Sequence, residues 1–146
     1  MNFLKQERAT LEELLPGLDA ALAQLPLLEM ERPGNPAIPV YRRLGGPGLL
    51  IPERFGGRGA SPLQAVQAQR AIACRAPSLA VATTMHHFTL AALLEIDLEN
   101  PDLEGELMTM VARGNLYMGS GFAESQPATS IQTSALRMYE ARGGSS

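Results

Sequence analysis

Residues 48–59 read Gly-Leu-Leu-Ile-Pro-Glu-Arg-Phe-Gly-Gly-Arg-Gly. The apolar residues Leu49, Leu50 and Ile51 predict a small buried plug, and residues 52–59 contain too much glycine for a helix or a strand. A phosphate-binding loop would need a preceding strand and a closing Lys-Ser or Lys-Thr pair, and the sequence has neither here. We therefore interpret the stretch as a tight connector between helices.

The connector leads into a predicted helix. Ser61 can cap this helix, Pro62 suits its first turn, and Gln64 can bond back to the cap. We expect the helix to reach about Arg75, because Pro77 cannot continue it.

Two further helices are predicted downstream. Ser78 can cap a helix over residues 79–96 that is apolar nearly all round, which predicts a place in the centre of a helical bundle. Pro101 opens the next helix, and Gly114 with Asn115 marks its end, since both tolerate the left-handed conformation.

Upstream of the connector, apolar residues over 11–25 recur at steps of three and four, which is the spacing of an amphipathic helix. Thr10 followed by Glu13 predicts a capping box at its start. Pro16 and Gly17 fall inside the pattern, so we expect a kink, or a second helix with Pro16 in its first turn.

The segment between that helix and the connector is rich in proline and glycine. We predict a loop over residues 31–39 and a short helix over residues 40–44. The residues Gly45, Gly46 and Pro47 should end this helix.

The hydrophobic period changes after the last predicted helix. Residues 116–123 and 132–141 have the composition of strands, with a turn region at 124–130. Two strands alone rarely make a stable sheet, so we expect a helical domain at 1–115 and the start of an incomplete β domain at 116–146. The predicted fold class is mainly α, a helical bundle followed by the first strands of that β domain.

Composition excludes several classes of function. The formal net charge is −3 and no long run of one sign occurs, which argues against a nucleic-acid partner. The longest apolar stretch, 78–96, contains His86 and His87, which would be costly at a bilayer midplane, so we predict no membrane span and a cytoplasmic protein. The single cysteine, Cys74, is expected to be a small buried apolar residue.

The pair His86-His87 suggests metal binding or acid–base chemistry. Adjacent residues on a helix point about 100° apart, so the two rings cannot face one ion as a pair at i and i+4 would. The chain has only two histidines, and we predict no metal site. We expect one ring to pack between helices and the other to bond to the backbone.

Three segments together resemble the acyl-CoA dehydrogenase family. Residues 48–59 are similar to the family's Gly-Leu-x-x-Pro-Glu-x-x-Gly-Gly-x-Gly loop. Residues 76–81, Ala-Pro-Ser-Leu-Ala-Val with His86 downstream, are similar to the opening of a family helix. Residues 121–130 occupy the place of the family's Thr-Glu-Pro-x-x-Gly-Ser-Asp segment. The resemblance covers roughly residues 11–144.

The resemblance implies a helical domain, a middle β domain and a C-terminal four-helix domain that hold FAD between them. It also implies α,β-desaturation of an acyl-CoA or acyl-carrier thioester, with hydride transfer to the flavin. The family's catalytic base comes from the C-terminal domain, which we expect this chain to lack, so we nominate no catalytic residue and expect the chain alone to be inactive. The alternative is a non-catalytic helical module that docks an acyl carrier or a partner chain, and we expect a homo-oligomer or a complementary chain.

The resemblance also implies flavin contacts. In the family, this strand end bonds to the flavin ring edge through backbone groups, which implicates Ser120, Phe122 and Ala123. Matching through Glu124 places Ala123 at the position of the family's threonine and Thr129 at that of the serine that holds the pyrophosphate. Thr129 keeps the hydroxyl, whereas Ala123 offers only its backbone N–H.

The family's acyl-chain cavity borders the helix predicted at 79–96. The resemblance therefore implies that Thr83, Met85 and His86 line a substrate cavity.

Overall fold

The computed structural model describes residues 3–95 and 101–119, and these form seven α-helices with two single 3-10 turns between the fourth and the fifth. The mainly helical fold class is confirmed there. Residues 116–119 are neither helix nor strand, and the rest of the predicted β domain lies outside the described residues. The helices are α1 (Lys5–Leu14), α2 (Leu18–Ala23), α3 (Leu27–Met30), α4 (Ala37–Arg43), α5 (Pro62–Ala73), α6 (Pro77–Glu95) and α7 (Pro101–Gly114), and the 3-10 turns are Gly46–Gly48 and Glu53–Phe55.

Two clusters of buried apolar side chains form the core of the described residues. Leu49 belongs to the larger cluster, and Leu50 and Ile51 belong to the smaller one. All three side chains are buried, so the predicted plug is confirmed and contributes to both clusters. Fully buried side chains elsewhere in the core include Leu11, Leu15, Leu18, Leu22, Met30, Tyr41, Ile72, Leu79, Leu90 and Met108.

The glycine-rich connector folds back onto the plug. The N–H of Arg58 donates to the carbonyl of Gly48 at 2.9 Å, and the N–H of Gly59 donates to that of Ile51 at 2.8 Å. A Cβ added at Gly57 would lie 2.0 Å from the carbonyl oxygen of Ile51, so this position requires glycine. The predicted tight connector is confirmed.

Helix α5 begins as the sequence predicts. The Ser61 hydroxyl accepts the N–H of Gln64 at 3.3 Å, and the Gln64 side chain accepts the N–H of Ser61 at 3.0 Å. The helix ends at Ala73, two residues before the predicted Arg75. This reciprocal cap satisfies two backbone N–H groups at the start of the helix.

The predicted capping box at Thr10 is wrong. Helix α1 begins at Lys5, and the Thr10 hydroxyl donates to the Gln67 side chain of α5 at 3.0 Å. The predicted break at Pro16 and Gly17 is present. Pro16 lies between α1 and α2, however, and not in the first turn of α2. Helix α2 starts directly after Gly17, whose φ of 80° suits glycine.

Helices α4 and α6 both begin earlier than predicted. The N–H of Ala37 donates to the Asn35 side chain at 2.8 Å, which starts α4 three residues before the predicted start at residue 40. Pro39 then lies in the first turn, where its missing N–H has no cost. Helix α6 starts at Pro77, so Ser78 is not its cap. The N–H and the hydroxyl of Ser78 instead bond to the Glu31 carboxylate.

Helix α6 is not enclosed on all sides by the described residues, contrary to the prediction. Val81, Met85 and Phe88 are 75%, 47% and 60% exposed. None of the helices in residues 3–95 and 101–119 is long and apolar enough to cross a membrane. Cys74, which was predicted to be buried, is exposed. It directly follows the last residue of α5.

The packing of Gly46 against Tyr41 gives a test of the fold. A Cβ at Gly46 would lie 2.3 Å from the Tyr41 ring, whereas a Cβ at Gly48 would have its nearest contact at 3.4 Å. We expect Gly46→Ala to lower the free energy of unfolding by about 2–3 kcal/mol through overpacking, and Gly48→Ala to lower it by less than about 1 kcal/mol. Urea denaturation measures both changes, and equal effects would contradict this packing.

Candidate functional site

The two histidines of α6 are both buried. The Nε2 atom of His86 is 2.8 Å from the carbonyl oxygen of Pro47, and its Nδ1 atom accepts the N–H of Met118 at 3.0 Å. Because a carbonyl only accepts, the ring proton is on Nε2 and the imidazole is neutral. His86 thus connects α6 to the first 3-10 turn and to the residues after α7, and the expectation that one histidine bonds to the backbone is confirmed.

The surroundings of His86 keep its ring neutral. Burial lowers the pKa of His86, and the hydrogen bond to the Pro47 carbonyl opposes this shift only in part. The Tyr117 ring meets the imidazole edge-on, with 5.4 Å between the ring centroids. A proton on Nδ1 would displace the N–H of Met118, so protonation and this contact exclude each other.

His87 takes part in a second buried chain of hydrogen bonds. The Tyr41 hydroxyl donates to the carbonyl of Gly46 at 2.9 Å, and its oxygen is 2.8 Å from Nε2 of His87. Because the Tyr41 hydroxyl donates its proton to Gly46, its oxygen can only accept from His87. The Nε2–H of His87 therefore donates to the Tyr41 oxygen. Nδ1 then carries a lone pair, and it is buried with no hydrogen-bond partner among the described residues. Burial, with a smaller effect of His86, lowers the pKa of His87 to about 4.

An apolar cavity lies between α5 and α6, beside the plug. Its volume is about 260 Å³. Among the described residues its lining has no charged side chain, and the polar members are an amide, a hydroxyl and an imidazole. The lining residues are Leu50, Pro62, Ala65, Val66, Gln69, Thr84, His87, Phe88 and Ala91.

The Gln69 side chain contains a second buried acceptor without a partner among the described residues. Its Nε2 atom donates to the Ala80 carbonyl at 2.8 Å and to the Thr83 hydroxyl at 2.9 Å. The Ala80 carbonyl accepts only, so the amide orientation is fixed and Oε1 points away from these partners. Oε1 is buried and bonds to none of the described residues.

A smaller cavity of about 190 Å³ lies on another side of α6, lined by Ile38, Leu79, Ala82, Thr83 and Tyr117. The Thr83 hydroxyl donates to the Leu79 carbonyl at 3.0 Å, and the residue is 1% exposed. Thr83 thus lines the smaller cavity and accepts a hydrogen bond from Gln69, a residue that borders the larger one.

The predicted substrate-lining residues fall in three different environments. Thr83 lines the smaller cavity, Met85 lies on the exposed side of α6, and His86 is buried and fully bonded to backbone groups. Their contact with a substrate remains a prediction. The predicted flavin contacts lie outside the described residues, namely Ser120, Phe122, Ala123 and Thr129.

Sequence reasoning missed Gln69 and gave His87 no specific role. Gln69 is a polar residue at a position where helical spacing from Ala65 and Ile72 would place an apolar one. This polar residue on a buried face could have indicated a specific role for Gln69. In the part of the chain that the structure describes, no three or more His, Cys, Asp or Glu side chains come together as a metal site would require.

Comparison with known proteins gives a curated relative. The chain is 42% identical over 134 residues to isobutylamine N-hydroxylase from Streptomyces viridifaciens. The aligned residues make up 90% of this chain and 35% of the relative. The chain thus spans about a third of the length of the relative it matches. No family model matches the chain, and no solved structure matches it. The relative's name denotes an oxidoreductase, which agrees with the broad class expected from sequence, whereas acyl-thioester desaturation is not confirmed.

The buried His87 predicts a loss of stability in acid. Its pKa falls from 6.5 to about 4 on folding, so the unfolded state binds more protons between these values. The free energy of unfolding should therefore fall as pH drops below about 6.5, by about 3 kcal/mol near pH 4 from this group, and His86 adds to the loss in the same direction.

Urea midpoints measured between pH 7.5 and pH 4.5 test this expectation. His87→Gln keeps an N–H donor near Tyr41 but has no group that titrates in this range. The variant should lose less stability on acidification than the parent protein. Equal pH dependence in both proteins would show that His87 is not the titrating group.

Proposed function

We propose that this chain forms the helical part of a flavin-dependent oxidoreductase that N-hydroxylates a small primary amine. The observation that carries the proposal is the 42% identity to isobutylamine N-hydroxylase over 90% of this chain. The resemblance of residues 48–59 and 121–130 to the acyl-CoA dehydrogenase family supports the flavin. The proposal replaces the acyl thioester by an amine as the preferred substrate class.

The reaction forms an N–O bond and breaks one N–H bond of the amine. One oxygen atom of dioxygen enters the product, and the other leaves as water, which requires two electrons and two protons (RNH₂ + O₂ + 2e⁻ + 2H⁺ → RNHOH + H₂O). A bound reduced flavin would supply the two electrons and activate dioxygen. The amine must be neutral at the reacting nitrogen, because an ammonium ion has no lone pair to form the new bond.

The described residues fit two parts of this task. The cavity between α5 and α6 offers an apolar space in which no described wall residue is charged. The hydrogen bond from Met118 to His86 holds the chain two residues before Ser120, where the predicted flavin contacts begin. In this proposal His86 acts as a positioning residue for the flavin segment, and the contacts of Ser120, Phe122, Ala123 and Thr129 remain predictions.

A second candidate is a helical module that packs against a partner. Val66, Val81 and Phe88 are large apolar side chains exposed on α5 and α6, which supports a contact with a second copy or a complementary chain. Light scattering tests this candidate. Val81→Ser should shift an oligomer toward monomer, and an unchanged mass would count against this face as the contact.

The proposed activity is tested with the full-length protein. We expect isobutylamine, reduced flavin and isotopically labelled dioxygen to yield the N-hydroxylamine with one labelled oxygen atom, detected by mass spectrometry. A matched reaction with an acyl-CoA and an artificial electron acceptor should give no enoyl product. Desaturation of the acyl-CoA without hydroxylation of the amine would overturn the proposal in favour of the acyl-thioester reaction.

A further inference from the structure

We propose that residues 116–119 form an acid-sensitive gate over the smaller cavity, and that a proton on His86 opens it. The gate is the short stretch of chain that follows the end of α7 and Asn115. This proposal goes beyond the proposed function and does not rest on it, because it concerns only how the described residues respond to a proton.

His86 makes two contacts with the gate. Its Nδ1 atom accepts the N–H of Met118 at 3.0 Å, and the Tyr117 ring meets the imidazole edge-on, with 5.4 Å between the ring centroids. Met118 also packs in part against the smaller apolar cluster, whereas the N–H of Leu116 bonds back to the Val111 carbonyl of α7. Leu116 and Tyr117 are 41% and 39% exposed. A segment with so few buried contacts opens at a lower free energy than the bundle unfolds.

The two nitrogens of His86 respond differently to a proton. Nε2 carries a proton in both the neutral and the charged ring, so it can donate to the Pro47 carbonyl in either state. Nδ1 accepts the N–H of Met118 only while it has a lone pair, and in the charged ring it becomes a donor. Protonation therefore breaks the contact with the gate and leaves the contact with the first 3-10 turn in place.

The other titratable groups near His86 do not change charge in mild acid. His87 lies beside it on α6, with 5.1 Å between the ring centroids, and burial lowers the pKa of His87 to about 4. Burial raises the pKa of Tyr117 in the gate and that of Tyr41 on α4, so both hydroxyls stay neutral. Arg42 on α4 is charged throughout this range and donates to the backbone just after α7. The first 3-10 turn contains no titratable side chain.

The gate forms one wall of the smaller cavity. Ile38 of α4 and Thr83 of α6 are among the lining residues, and Tyr117 is the lining residue that belongs to the gate. Thr83 is 1% exposed while the gate is closed. Movement of Tyr117 away from His86 therefore removes a wall of the cavity and gives small molecules access to Thr83.

The gate should open in acid. Burial lowers the pKa of His86 in the closed state, and opening exposes Nδ1 to water, which returns the pKa toward its ordinary value of 6.5. The open state thus binds more protons than the closed state between these two values. The open fraction should rise about tenfold between pH 7.5 and pH 5.5 and stay constant above pH 7.5.

A thiol placed behind the gate measures its opening. Thr83→Cys in the full-length protein supplies this thiol, and the exposed Cys74 gives the labelling rate of an accessible thiol in the same molecule. Division by the Cys74 rate corrects for the smaller thiolate fraction in acid. With a small neutral thiol reagent, followed at each site by mass spectrometry, we expect the relative rate at position 83 to rise about tenfold between pH 7.5 and pH 5.5.

Matched variants separate the gate from general unfolding. Ala68→Cys places a thiol in the larger apolar cluster at a fully buried residue of α5, and its relative labelling rate should not change over this range. His86→Gln, combined with Thr83→Cys, keeps an acceptor for the N–H of Met118 but does not titrate, so the pH dependence should disappear. His87→Gln in the same background should leave the pH dependence unchanged.

A relative rate at position 83 that does not depend on pH would overturn the proposal. Equal increases at positions 83 and 68 would also overturn it, since they would mean that the whole bundle unfolds. A rise that persists in His86→Gln would assign the proton to another group. If His86→Gln fails to fold, hydrogen exchange of the parent protein still decides, because the protection of the Met118 amide should fall about tenfold over this range while that of Ala71 in α5 stays constant.

Discussion

The described structure depends on two neutral histidines buried side by side on α6. Each ring uses its Nε2 proton to hold a group near the first 3-10 turn, His86 at the Pro47 carbonyl and His87 at the Tyr41 hydroxyl. A charged imidazole would have to be desolvated here, and a proton on Nδ1 of His86 would also displace the N–H of Met118. The turn, helix α4 and the residues after α7 are thus all held by groups that must stay uncharged.

The same arrangement leaves two buried acceptors beside α6 without partners among the described residues. A helix packed only by apolar residues would leave no unsatisfied acceptors, but the bonds that fix His87 and Gln69 on one side leave Nδ1 and Oε1 without partners on the other. Unsatisfied buried groups are rare in folded proteins and call for an explanation. Each costs stability in the described structure, because a buried acceptor without a donor has lost its bond to water.

The sequence predicted those features whose causes are local. The cap at Ser61 and the close packing around Gly57 follow from residue types that have few conformational alternatives. Thr10 was misassigned because its hydroxyl bonds to a residue of another helix, and tertiary contacts of this kind leave no local pattern. The roles of Gln69 and His87 depend on how α5 and α6 meet, so the spacing of residues along either helix could not reveal them.

The tautomeric states of the two imidazoles test this account most directly. The chain has only two histidines, so nitrogen NMR of the full-length protein labelled at histidine can assign both rings by comparison with His86→Gln. The account predicts that both rings are neutral at pH 7 and carry their proton on Nε2. A His87 ring that is charged, or that carries its proton on Nδ1, would contradict this prediction.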